Sequence, residues 1–125
     1  MATKGKKIRQ KAKIYLDKDG FLRYEESTKT TYDILVKNKK QVLNLVKKMK
    51  GKKKALIDLE GILLPLQGGR KVIVEMMKES NFEKVAVFHT SQVLRVMAKF
   101  ISTAAKIKSV EFFDNKKEAI SWLKK

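Results

Sequence analysis

Three short, almost wholly apolar runs constrain this chain most: Ala55-Leu56-Ile57-Asp58-Leu59, Lys84-Val85-Ala86-Val87-Phe88 and Ser109-Val110-Glu111-Phe112-Phe113. Each has strand length, and continuous apolarity rather than alternation is what a strand covered on both faces shows. Segments of helical spacing follow each run. Gly69, Ile73, Met76 and Met77 form one stripe, Val93, Met97, Phe100, Ile101 and Ala104 a second, and Ala119, Ile120 and Leu123 a third. Strands that alternate with helices call for right-handed crossovers and parallel pairing. Residues 55–125 therefore read as βαβαβα.

The segment before them is built differently. Lys13-Ile14-Tyr15-Leu16-Asp17 and Phe21-Leu22-Arg23-Tyr24-Glu25 alternate apolar with polar residues, and Asp17-Lys18-Asp19-Gly20 between them supplies a tight turn, so a β-hairpin is expected. After the hydroxyl-rich break Ser27–Thr31, a helix is expected with Leu35, Val42, Leu45, Val46 and Met49 inward. Thr31 or Asp33 could begin it and Gly51 could stop it; Tyr32–Val36 could instead be a short strand. Ser91, and Asn115 with Glu118 three residues on, read as caps of the later helices. The expected fold class is α/β: a mixed sheet with an N-terminal hairpin, then α, then βαβαβα with parallel strands. Residues 1–12 read as a basic flexible tail and 13–125 as a single domain, as a chain of 125 residues allows.

Composition removes several function classes. Cysteine is absent, which excludes disulfides, thiolate metal sites and cysteine catalysis. With His89 the only histidine, neither a histidine-based metal site nor a Ser–His relay around Ser91 is expected. No apolar run approaches the roughly 20 residues that span a bilayer. The basic N-terminus lacks the apolar segment of a secretory signal, so a cytoplasmic setting is expected. Net charge is +17, and residues 1–54 carry 18 Lys or Arg against 5 Asp or Glu. Lys37, Lys39, Lys40, Lys47, Lys48, Lys52, Lys53 and Lys54 are the residues through which nucleic acid or another polyanion could be held. Only four of the cations are arginine, which argues against base-specific reading and leaves a solvated lysine surface as the plainer account.

In an open α/β sheet, ligands gather beyond the C-terminal strand ends. The residues expected there are Asp58, Glu60, Gln67, Gly68, Gly69, Arg70, His89, Thr90, Ser91 and Arg95. Gly68-Gly69 before a helix could present N–H groups to a phosphate, although the loop lacks the lysine and hydroxyl of a P-loop. Asp58 and Glu60 could pair as acid and base, but accepting backbone N–H bonds is the commoner use of such residues. Met76, Met77 and Met97 with Phe88 and Phe100 form a soft apolar set, suited to core filling or to an apolar ligand. Trp122 is expected to anchor the last helix.

Leu56-Ile57-Asp58-Leu59-Glu60-Gly61-Ile62, the helix entered through Gly68-Gly69, and the closing segment from Phe112-Phe113-Asp114-Asn115 to Trp122-Leu123 resemble the STAS superfamily. The likeness is greatest to small bacterial SpoIIAA-like (anti-sigma-factor-antagonist-like) proteins, whose Phe-x-Asp-x-x-x-Glu-Ala-x-x-Trp-Leu ending compares with Phe113–Leu123, one spacer position shorter here. Ser91–Phe100, with Arg95, is similar to their third helix. The resemblance implies helices mainly on one face of the sheet and a non-enzymatic regulatory role. Its implied partners are a protein or a small ligand, including a nucleotide, a lipid or another apolar molecule. A homodimer is also compatible, and no cofactor or metal is implied. Regulated members carry Asp-Ser-Ser-Gly before the helix, where this chain has Leu66-Gln67-Gly68-Gly69 and no hydroxyl to phosphorylate. The usual serine-kinase switch is therefore not expected.

Overall fold

A computed structural model of the protein describes residues 11–28, 30–62 and 68–125. Most of the basic N-terminal segment lies outside the described residues, as does Gln67. The hairpin strands are β1 (Lys13–Leu16) and β2 (Leu22–Glu25). The Asp17 carboxylate fastens their turn by accepting from the N–H groups of Asp19 at 2.9 Å and Phe21 at 3.0 Å. Gly20 takes φ +82°, the conformation that glycine adopts without steric cost. Then come α1 (Tyr32–Val46), β3 (Lys54–Asp58), α2 (Gly69–Ser80), β4 (Lys84–Phe88), α3 (Gln92–Ala105), β5 (Val110–Phe113) and α4 (Lys116–Leu123). Tyr32–Val36 is thus helical, capped by the Thr31 hydroxyl, and α1 ends at Val46, several residues before Gly51.

The five strands follow chain order in one sheet, β1 antiparallel to β2 and every later pair parallel. Register divides the apolar side chains between two faces. Leu22, Ala55, Val85 and Val110 pair across the sheet on one face, with Tyr24, Ile57, Val87 and Phe112 two residues on. That face meets Val42 and Val46 of α1 and Met76 and Met77 of α2. Leu56, Ala86 and Phe88 point the other way, onto Ala119 and Leu123 of α4. Three helices cover one face and one short helix the other. A strand buried on both sides must be largely apolar, which accounts for the runs of β3 and β4, while β5, at the sheet edge, leaves Glu111 exposed.

Two lysines tie α4 down at its C-terminal end. Lys54 donates to the Leu123 carbonyl, and Lys84 donates to that of Trp122 at 3.3 Å while its ammonium lies 4.8 Å from the Trp122 ring centre. Cations at orphan carbonyls are what a helix C-terminus favours. Trp122 also packs on Phe113, with ring centres 5.6 Å apart, so it anchors the helix as expected.

α3 departs from expectation. Its inward residues are Leu94 and Ala105, with Met97 and Ile101 between them, whereas Val93, Val96 and Phe100 are 56%, 53% and 68% exposed. α3 packs chiefly on α2 and stands off the sheet.

Candidate functional site

The gap beneath α3 is a cavity of about 320 Å³, bounded by the sheet and by the inner sides of α1, α2 and α3. Ala55, Ile57, Val85, Val87 and Val110 form its floor. Met76, Met77, Met97, Ala98 and Ile101 are among the residues of its roof and walls. Of the soft apolar set expected from sequence, the three methionines line the cavity. Phe88 packs on the α4 side and Phe100 faces outward.

One end of the cavity is polar. Glu26, Ser27, Thr28 and Thr30, just past the C-terminal end of β2, line it together with Tyr24. The Tyr24 hydroxyl donates to Glu26 Oε2 at 3.0 Å and accepts from Asn38 Nδ2 at 3.1 Å. Glu26 Oε1 takes the Ser27 N–H at 2.9 Å and the Thr30 hydroxyl at 3.1 Å. Burial pushes the Tyr24 phenol well above its ordinary range, and the Glu26 carboxylate pushes it the same way. A buried carboxylate held by this many donors gives a largely apolar chamber one fixed polar end. Neither Glu26 nor Asn38 stands out in the sequence as a site residue. The available signal was period-two alternation, which carries the inward face of Leu22 and Tyr24 on to residue 26.

The residues expected at the C-terminal edge fall into separate groups. Asp58, Glu60 and His89 come together on the α4 side of the sheet. The Asp58 carboxylate accepts from the Glu60 N–H at 2.9 Å and from His89 Nδ1 at 3.0 Å, and Glu60 Oε1 lies 3.7 Å from the same nitrogen. Because an ionised carboxylate can only accept, that nitrogen carries the proton. Asp58 thus takes a backbone N–H, the commoner of the two uses weighed from sequence. His89 holds φ +58°, a left-handed conformation in which histidine is enriched among non-glycine residues. One ligand atom from each of Asp58, Glu60 and His89 lies within 4.8 Å of the others, so these are the described residues that could hold a cation.

Thr90, Ser91 and Arg95 serve α3. Ser91 Oγ caps the helix by accepting from the Leu94 N–H at 3.1 Å. Arg95 donates to Thr90 Oγ1 at 3.0 Å, reaches Asp114 at 3.4 Å and lies over the Phe112 ring. Gly68 starts α2 at φ +84°, Gly69 is buried, and Arg70 is exposed in the first turn. Of the expected edge residues that are described, none lines the cavity.

The expected polyanion surface is divided as well. Lys37, Lys40, Lys47, Lys48 and Lys52 are exposed, while Lys39, Lys53 and Lys54 are partly buried. Lys39 pairs with Glu75 at 3.3 Å and Glu79 at 3.2 Å across the α1–α2 contact, and those two carboxylates raise its pKa. Lys54 is committed to the end of α4. Among the described residues, no helix is long and apolar enough to cross a membrane.

A five-stranded sheet of this order, flanked three helices to one, has the fold of a STAS domain. The chain is similar to an anti-sigma-factor antagonist (STAS) domain protein from Planctomyces limnophilus, with a TM-score of 0.65 over 92% of this chain and 99% of that one, at 12% identity. The profile of the family described as "Domain of unknown function (DUF7793)" matches residues 14–125, and the chain belongs to that family. No curated protein matches it.

Proposed function

We propose that this protein is a non-enzymatic, STAS-like binding module whose ligand is a small molecule with an apolar body and one hydrogen-bonding head, held between the sheet and α3. The cavity carries this reading: about 320 Å³, floored by aliphatic side chains, with the polar groups of its described lining gathered at Tyr24, Glu26, Ser27, Thr28 and Thr30, apart from Ser102, whose hydroxyl donates to the Ala98 carbonyl. Small-molecule sites begin at this size and share this division between apolar lining and a few orienting polar groups. Met76, Met77 and Met97 make the wall deformable, since an unbranched thioether adjusts to the shape it meets. An empty chamber this large would cost stability, because its lining atoms lack contacts on one side. A bound apolar molecule restores those contacts.

The regulatory setting rests on likeness of fold. A ligand that seats beneath α3 would alter how α3 sits, and α3 also carries an exposed apolar face through which occupancy could be read by a partner. A cytoplasmic location agrees with this role.

Native mass spectrometry of protein purified without detergent tests the reading. A co-purifying apolar molecule at one per chain is the expected result. A clean apo mass, unchanged after exposure to an apolar extract of the expression host, would overturn it.

A further inference from the structure

The outer edges of α2 and α3 form a second feature, separate from the cavity. On α3, Val93, Val96 and Phe100 follow one another along the outward side, and the helix contains no acidic residue. On α2, Glu75 and Glu79 are turned toward Lys39 of α1. At 100° per residue, that places Arg70 and Val74 on the opposite flank, toward α3, with Lys71 and Lys78 outermost. Val74 is half-buried, while Arg70, Lys71, Lys78 and Lys99 are exposed. The result is a furrow with an apolar centre and a cationic rim. Beyond the other flank of α3 lie Glu111 of β5, which borders a groove with Arg95 and the far-edge Lys99, and Asp114 just past the strand, which meets Arg95.

We propose that this furrow docks an acidic amphipathic helix of a partner protein. Charge complementarity selects the occupant. A second copy would bring one cationic rim against another, which opposes self-association. The chain's own first ten residues hold four cations and no acid, so they do not suit the furrow either. A nucleic-acid backbone would satisfy the rim but leave Val93, Val96 and Phe100 in water. A furrow between two helices receives a third helix, whereas a bilayer surface receives a protruding face. The 14 residues of α3 run ~21 Å at 1.5 Å per residue, so a partner helix of about four turns spans it.

Selection from a displayed library of helical peptides, about as long as α3 and free in composition, tests this. Enriched peptides are expected to combine Asp or Glu with apolar residues at helical spacing. Their binding is expected to fall about ten-fold with Phe100→Glu or Val93→Glu, both at exposed positions, and to weaken with Lys99→Glu and with salt. Enrichment without acidic residues, or binding indifferent to Phe100→Glu and Val93→Glu, would overturn the proposal. So would Phe100-dependent binding to phosphatidylglycerol vesicles without peptide selection, which would make the face a membrane seat. A dimer in sedimentation, abolished by Phe100→Glu, would overturn it in favour of self-association.

Discussion

Among the described residues, Tyr24 has a titration that burial displaces. Its phenol is held neutral first by burial and second by the Glu26 carboxylate, against a smaller opposing effect of the Asn38 amide. An unfolded tyrosine ionises near pH 10. Above roughly that pH the unfolded chain gives up a proton that the folded chain keeps. This contribution to stability is therefore complete below about pH 10 and is lost as pH rises toward the folded value. Urea unfolding should show a midpoint that falls on raising the pH above about 10. Tyr24→Phe should flatten part of that fall. The same substitution should cost about 1–3 kcal/mol at neutral pH, because Asn38 and Glu26 lose a buried partner. An alkaline slope unchanged in the variant would contradict this account of Tyr24.

At the scale of elements, α3 decides whether the chamber is real. Ala98 sits on its inner side and lines the cavity. Ala98→Phe should fill space that is otherwise vacant in the ligand-free protein. Filling a cavity typically raises stability by about 0.5–2 kcal/mol. Denaturant midpoints at unchanged slope should show that gain. A loss of similar size would mean that the ring had been forced into packed atoms.

The elements themselves were largely legible in the sequence, and for physical reasons. Strands β3 and β4 are covered on both faces, so apolarity is nearly continuous along each, while β5 lies at the sheet edge and interrupts its run with the exposed Glu111. Asp17 and Gly20 are the chemistry of a turn, and Ser91 and Asn115 do cap the helices that follow, accepting from Leu94 and Glu118. The inner face of α3 was not legible. That helix has apolar residues nearly all round, so Val93–Phe100 and Leu94–Ile101 are equally good stripes until its neighbours are placed. Periodicity picked a mixture of the two. Of the candidate site, only the methionines Met76, Met77 and Met97 were legible, as part of a soft apolar set. Asp58 and His89 do meet, but on the other face of the sheet, and the cavity depends on how far α3 stands from the sheet. Glu26 falls between the strand read as Phe21–Glu25 and the break that begins at Ser27, and nothing marked it, because burial of a carboxylate is set by tertiary packing rather than by its flanks.

For the molecule as a whole, shared fold and chemistry separate cleanly. Likeness at 12% identity is a likeness of backbone path, and the two faces of the sheet carry different chemistry here: a chamber on the three-helix side and the Asp58–His89 pair on the other. The positive charge of +17 is likewise not one surface, since Lys39 and Lys54 are spent on internal contacts. The central claim is that the space beneath α3 accepts an apolar molecule, and one titration tests it most directly. An uncharged solvatochromic dye should bind wild-type protein at one per chain with a blue-shifted emission, bind Ala98→Phe at least ten-fold more weakly, and bind Phe100→Glu as it binds wild type. Equal binding to wild type and Ala98→Phe, with loss in Phe100→Glu, would contradict the claim by placing the dye on the outer face of α3.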